Sequence, residues 1–406
     1  MQPYSEYKNT EIDWLETIPK NWKLVKLKHV SSLNMGQSPS SDDVNQEGEG
    51  IPFIQGNAEF GALHPTPKNF CTEPSKICKP DDILISVRAP VGALNISDQK
   101  YVIGRGLSAI TPESVRSGFC WYALQNSKYQ LSVMETGTTF KAISGSDLAN
   151  VFLPLPSQEE QRVIEGYLNF ETSRIDRLIT EKAGFIDLLK EKRQSLISHV
   201  VTKGLDTDVE MKDSEVAWIG EIPSHWTSAK LKYGLAIKNG RDYKDVEAEN
   251  VEGSYPVYGS GGEFRRATDF LYEGESVLFG RKGTVDKPLY VNGRFWTVDT
   301  MFYSEINPKC FPRFMYYVAC TIPYSLYQTN TALPSMTQGD LLNNPIAYPD
   351  YQEQMLIADY LDREITRIER LMTEVTESIN LLKEHRTALI SAAVAGKIDL
   401  RDKEVA

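Results

Sequence analysis

The chain has 406 residues, 41% of them hydrophobic and 24% charged, with 55 acidic against 44 basic side chains and a formal charge of −11. This is ordinary globular composition with room for two to four domains. No run approaches eighteen apolar residues and the start, MQPYSEYKNTEIDW, is polar, which speaks against a membrane span and a secretory leader. Cys71, Cys78, Cys120, Cys310 and Cys320 form no CxxC pair and read as buried thiols in a reducing cytoplasm. An acidic total counts at first against binding phosphate.

Taken in order, the chain opens on Trp14, Ile18, Pro19, Trp22, Lys26, Leu27 and Lys28. A Gly/Pro-punctuated stretch follows to about residue 156, with short β-branched runs such as IPFIQG and DDILISV that predict strands joined by turns. Next comes a helical run in which Ile164, Leu168, Ile175, Leu178, Phe185, Leu189 and Leu196 recur at steps of three and four, ending near Gly204. The whole order then returns. Trp218, Ile222, Pro223, Trp226, Lys230, Leu231 and Lys232 repeat the opening motif 204 residues later. SYPVYG, ESVLFG and RFWTV predict strands again, and Ile357, Leu361, Ile368, Leu371, Val375, Leu382 and Leu389 repeat the helical seam toward Gly396. Between the helices the offset is 193, with about twenty identities over residues 160 to 201. Such self-similarity makes the chain two copies of one unit.

A 3.5-residue period held over about five heptads predicts a coiled-coil seam, with each helix about 60–67 Å long. Matched seams favour antiparallel pairing of the two helices over separate packing on their own domains. The expected architecture is therefore α+β, with residues 1–156 as a first β-rich domain and 157–204 as a first long helix. Residues 205–350 form a linker and second β-rich domain, and 351–406 a second long helix. The final Lys403-Glu404-Val405-Ala406 resembles Ser214-Glu215-Val216-Ala217 before Trp218, so the two ends of the chain are expected to lie close together.

Catalytic patterns were sought and found wanting. GESVLFGRK, from Gly274, has the wrong ending for a phosphate-binding loop, and no GxGxxG follows a strand. Asp81, Asp98 and Lys100 match a nuclease-like pattern that holds Mg²⁺, but the second copy lacks it. His29, His64, His199, His225 and His385 make no zinc spacing. The expectation is a non-enzyme with no catalytic residue, metal or cofactor in this chain.

The duplicated order of opening motif, β-rich region and long helix resembles the specificity (S) subunit of type I restriction-modification systems. The residues that carry it are Pro154-Leu155-Pro156-Ser157-Gln158-Glu159-Glu160-Gln161 with Tyr167, Leu168, Arg174 and Ile175, and Pro349-Asp350-Tyr351-Gln352-Glu353-Gln354 with Tyr360, Leu361, Arg367 and Ile368. The resemblance spans essentially the whole chain. It implies two target-recognition domains, each reading one half of a bipartite, asymmetric DNA site, and helices that set the distance between the halves. It also implies docking of methyltransferase subunits, with Glu160, Gln161, Tyr167, Arg174, Glu353, Gln354, Tyr360 and Arg367 as the docking candidates. The expected partners are duplex DNA, two modification subunits bringing S-adenosylmethionine, and two restriction subunits bringing ATP- and Mg-dependent translocation and cleavage.

Base readout needs amide or guanidinium groups presented by loops to a groove. Arg88 follows one strand and Arg281, with Lys282 beside it, follows its counterpart. Gln55 and Asn57, and Tyr258 and Ser260, occupy the next aligned turn, with Arg265 after it. Lys141 and Ser335 lie in the polar loops before the helices. A scaffold whose two domains bind protein or glycan is the alternative, separated by salt-sensitive retention on duplex DNA. The acidic surplus sits outside the candidate readers: residues 15 to 156 carry thirteen basic and thirteen acidic groups, and residues 219 to 350 thirteen and fifteen.

Overall fold

A computed structural model describes residues 2–12, 14–135, 142–327 and 334–402. The chain folds into two compact units, Met1–Glu181 with Ser378–Ala406, and Lys182–Glu377. The units divide each long helix near its middle rather than at its start, because each helix is anchored at both ends to opening motifs.

The first long helix runs from Gln158 to Lys203 and the second from Tyr351 to Val394. Each begins where its sequence supplies a cap after proline. Ser157 Oγ accepts from the Glu160 N–H at 3.2 Å while the Glu160 carboxylate accepts from the Ser157 N–H at 3.3 Å, a reciprocal capping box. In the second helix Asp350 accepts from the Glu353 N–H at 2.9 Å. Each ends at a glycine with positive φ, Gly204 at 78° and Gly396 at 69°, the left-handed stop that a Cβ disfavours. The second helix is thus shorter than the span to residue 406. Residues 397–402 leave it as a tail whose Asp399 N–H donates to Gln2 O at 2.9 Å.

In the first unit the opening motif holds both helix ends. The buried Trp22 donates its indole N–H to Glu160 at 3.3 Å, at the start of the first helix. Gly396, at the end of the second, packs so closely on Pro19 and Trp22 that a Cβ there would meet Pro19 Cδ at 2.4 Å. Further along, Arg386 pairs with Asp176 at 2.9 Å, so the helix segments of this unit run antiparallel. The second unit repeats the plan: Trp226 donates to Glu353 at 2.9 Å, Gly204 lies against Trp226, and Arg193 pairs with Glu369 at 3.4 Å. Ile164, Leu168 and Ile175 bury with Leu389, Ile390 and Val394 in one core, and Ile197, Val200 and Val201 with Ile357, Ala358 and Leu361 in the other. The predicted seam residue Phe185 is 46% exposed, since the seam drifts past it to Leu189.

Each β-rich region is built on sheets whose strands pair antiparallel except at one parallel pair. In the first unit Leu107–Pro112 lies between Ser31–Met35 and Ile83–Ser86, with Leu94–Ile96 outside. A second sheet pairs Ile51–Ile54 in parallel with Val102–Ile103 and antiparallel with Asn69–Cys71. In the second unit one six-stranded sheet combines both roles. Leu235–Asn239, Met301–Ile306, Tyr272–Gly280, Leu289–Thr297, Tyr255–Gly259 and Gly262–Ala267 follow one another across it, with Val257 opposite Trp296 in the parallel pair. The cysteines are thiols, and burial pushes Cys78 up to about 11 and Cys120 to about 12, which keeps them protonated and unreactive.

Candidate nucleic-acid interface

The same three backbone segments cross in both units. In the first, Gly36 N–H donates to Leu107 O, Gln37 N–H to Ile103 O and Gly104 N–H to Ile54 O, all at 2.8–2.9 Å. In the second, Gly240 donates to Met301 O at 3.0 Å, Arg241 to Thr297 O at 2.9 Å and Val298 to Tyr258 O at 3.2 Å. The crossing needs glycine because a Cβ on Gly36 would stand 2.2 Å from Gly104 O, and one on Gly240 2.0 Å from Val298 O. Gly36→Ala or Gly240→Ala is therefore expected to destabilise its unit by about 1–3 kcal/mol through overpacking, read as a lower urea midpoint.

What the crossing displays differs between the copies. In the first unit it carries Gln37, Ser38, Gln55 and Arg105. Gln55 donates to Ser38 Oγ at 2.9 Å, the Arg105 N–H donates to the same oxygen at 3.3 Å, and the exposed Arg105 guanidinium has no ion-pair partner among the described residues. The corresponding residues of the second unit are Arg241, Asp242, Gly259 and Asp299, with both carboxylates exposed. Amides and guanidinium groups suit purine edges and carboxylates suit donors such as cytosine N4; one scaffold thus presents two different sets of polar side chains.

The hydrogen bonds also correct the alignment of the predicted readers by one residue. Val87 N–H donates to Gly106 O and Arg281 N–H to Thr300 O, while Ile143 and Met336 N–H donate to Val87 and Arg281 O. Arg281 thus takes the place of buried Val87, and the counterpart of Arg88 is Lys282, each bridged to the segment opposite, Ala142 and Ser335. A one-residue shift moves a strand residue to the other face. Arg281 is exposed like Arg88 and Lys282, but its guanidinium lies over Phe302 at 5.9 Å and donates to Asp299 O at 3.3 Å. Tyr258 likewise corresponds to buried Ile54 rather than to Gln55. Its ring stands edge-on to Phe295 at 6.3 Å, and burial pushes its phenol up.

Asn57 opens a short 3-10 turn, Asn57–Glu59, and Ser260 sits half-buried in the hairpin between Tyr255–Gly259 and Gly262–Ala267. Arg265 is paired with Glu247 at 3.3 Å, so a phosphate there would compete with a carboxylate for the guanidinium. Lys141 lies outside the described residues, as do residues 138–140 and 331–333 of the same two loops. Sequence inspection missed Gln37, Ser38, Arg105, Arg241, Asp242 and Asp299. The available signal was glycine: Gly36 and Gly240 recur at the 204-residue offset, and Gly104 and Gly106 bracket Arg105.

Among the docking candidates, Gln161 and Gln354 are buried. Each accepts from a backbone N–H, of Arg116 and Phe311 respectively, at 2.8 Å, and donates back to Pro156 O and Pro349 O. Glu160 and Glu353 hold the tryptophans. These four side chains are committed inside their own units and offer little surface to a partner. Tyr167 and Tyr360 are half-buried, while Arg174, paired with Glu171 at 2.7 Å, and Arg367 are exposed on the helices. Beside Arg174 a shallow groove is lined by Gly166, Asn169, Phe170 and Arg177, with Phe170 58% exposed. Among the described residues no group of three His, Cys, Asp or Glu could hold a metal, and the Asp98 carboxylate accepts from the Tyr101 hydroxyl at 2.5 Å. No helix there is long and apolar enough to cross a membrane.

Comparison with known proteins agrees with this geometry. A family profile described as type I restriction modification DNA specificity domain matches twice, over residues 19–180 and 223–381. The type I restriction enzyme MjaIX specificity subunit of Methanocaldococcus jannaschii is 24% identical over 98% of both chains. A putative MjaX specificity subunit of the same organism is 38% identical over 48% of this chain and 46% of its own length, so that match spans about half the relative. Among solved structures, a chain from work on complex assembly and conformational transition of the type I R-M system matches with TM-score 0.74 and 16% identity, covering 94% of this chain and 99% of the other. The HsdS subunit of Thermoanaerobacter tengcongensis matches at TM-score 0.51 and 16% identity, over 94% and 98%.

Proposed function

From the premise that this chain belongs to the type I restriction-modification DNA specificity family, shown by the profile match over both copies, we propose that each unit reads one half of a bipartite, asymmetric duplex DNA site. The observation that carries this is the repeated glycine crossing with different polar side chains: Gln37, Ser38, Gln55 and Arg105 in the first unit, Arg241, Asp242 and Asp299 in the second. A conserved backbone with divergent donors and acceptors is what two readers of unlike sequences require. Arg88 and Lys282, exposed and unpaired among the described residues, fit phosphate contacts that fix the register of each reader.

The chain performs no chemistry in this reading. Modification subunits supply S-adenosylmethionine, and restriction subunits supply ATP- and Mg-dependent translocation, two of each in the assembly in the cytoplasm. The modification subunits dock on the helices through Arg174, Arg367, the half-buried Tyr167 and Tyr360, and the exposed Phe170. The helices set the gap between the half-sites.

Arg105→Ala is expected to relax preference at one base position of one half-site, by about 1–3 kcal/mol, and to leave the other half-site unchanged. Methylation mapping of the complex reconstituted with this variant measures it; unaltered preference at both halves removes Arg105 from the readers. Arg88→Ala should instead weaken binding to all sequences alike and lower the salt dependence by about one counterion.

A further inference from the structure

The first unit holds a pocket that sequence reading does not account for. The end of the short helix Ser117–Gln125 and the residues after it face the back half of the second long helix. Between them is a pocket of about 140 Å³ lined by Gln125, Asn126, Lys128, Arg386, Thr387 and Ile390. No carboxylate lines it. Two of its donors are buried without an acceptor, Gln125 Nε2 and Arg386 Nε. Asp176 lies 2.9 Å from that Nε, close enough to balance the guanidinium charge, but the N–H does not point at the carboxylate. Lys128 then leaves one uncompensated positive charge at the rim. Buried donors without partners are uncommon, and one that borders a pocket favours an acceptor that the pocket can hold.

The second unit carries different side chains at the same place. Arg193 and Glu369 repeat the pair of Arg386 and Asp176, and Gln194 stands where the first unit has Thr387. The longer glutamine reaches across and donates to Cys320 O at 3.0 Å, at the end of the short helix Pro312–Ala319. Cys320 and Pro323 replace Gln125 and Lys128, so the second unit lacks those two donors. The pocket, the Gln125 amide without an acceptor and the extra cation Lys128 occur together in the first unit.

We propose that this pocket binds one tetrahedral oxyanion, a phosphate or sulfate group. Its volume is well below the roughly 300 Å³ at which pockets begin to enclose larger organic ligands, and its lining offers amide, guanidinium, ammonium and hydroxyl groups suited to accept such an anion. The group could come from free inorganic phosphate or from the backbone of a bound nucleic acid, and the test separates the two.

The full chain is unfolded thermally in sodium phosphate and in sodium chloride at matched ionic strength. A free-anion site gives a saturable rise in Tm specific to phosphate, on the order of 2–4 °C at tenfold the Kd, which Lys128→Met and Thr387→Gln abolish. The second variant copies the side chain that stands at this position in the other unit, so it is expected to fold. A backbone-phosphate site instead appears as a several-fold loss of affinity for random-sequence duplex in both variants, with no phosphate-specific rise in Tm. The proposal is overturned if neither the phosphate response nor the duplex affinity distinguishes the variants from the unaltered chain.

Discussion

Inserting one heptad into both long helices, between Ile175 and Leu189 and between Ile368 and Leu382, is expected to lengthen the preferred gap between the half-sites by about three base pairs. Seven residues add about 10.5 Å to a helix, and B-DNA rises about 3.4 Å per base pair. A heptad returns the seam to the same face, so the buried stripe survives, whereas a four-residue insertion rotates it out of register. The heptad variant should therefore fold and shift the gap, while the four-residue variant should lose stability. Methylation mapping of the reconstituted complex decides the first point, and an unchanged gap would end the role of the helices as a ruler.

Trp22→Ala is expected to destabilise the first unit by about 3–5 kcal/mol, and Trp226→Ala the second by as much. Each indole is fully buried, and loss of such a ring leaves a cavity at this cost. The effect is enlarged because the indole N–H serves a carboxylate at the start of a long helix, and a buried acceptor without its donor adds to the penalty. In units of this size the expected fall in melting temperature is on the order of 10 °C. Glu160→Gln keeps an acceptor for the indole and should cost far less. If Trp22→Ala and Glu160→Gln melt alike, the tryptophan is not the clasp that its packing against Gly396 and Glu160 indicates.

The two classes of candidate residue fared differently for a physical reason. The motif Glu160-Gln161, repeated as Glu353-Gln354, was visible as a pattern, and exposure on a helix is the usual fate of such polar pairs. Tertiary contact instead turns Gln161 inward to the Arg116 N–H and Gln354 to the Phe311 N–H, which caps the short helices packed on them. Recurrence revealed that these residues matter but could not separate structural from docking roles. Phe170 went unnoticed because one exposed aromatic has no periodic partner, and only its 58% exposure beside Arg174 distinguishes it from seam residues.

The sequence by itself determined the duplication, the long helices with their glycine stops, and the antiparallel seam. These depend on identity and periodicity along the chain, which are local properties. It also indicated that the acidic surplus lies outside the readers. Only the tertiary structure decided which helix ends share a tryptophan, that Lys282 rather than Arg281 matches Arg88, and that Arg105 and Asp299 occupy one place in the two crossings. The register rests on hydrogen bonds between segments 19 residues apart in each copy, Val87 with Gly106 and Arg281 with Thr300, and the shared tryptophan on its bond to a glutamate well over a hundred residues away. The offset between the copies is 204 at Gly36, 194 at Val87 and 193 at Ile143, so residue spacing along the chain cannot fix a strand register that a shift of one reverses.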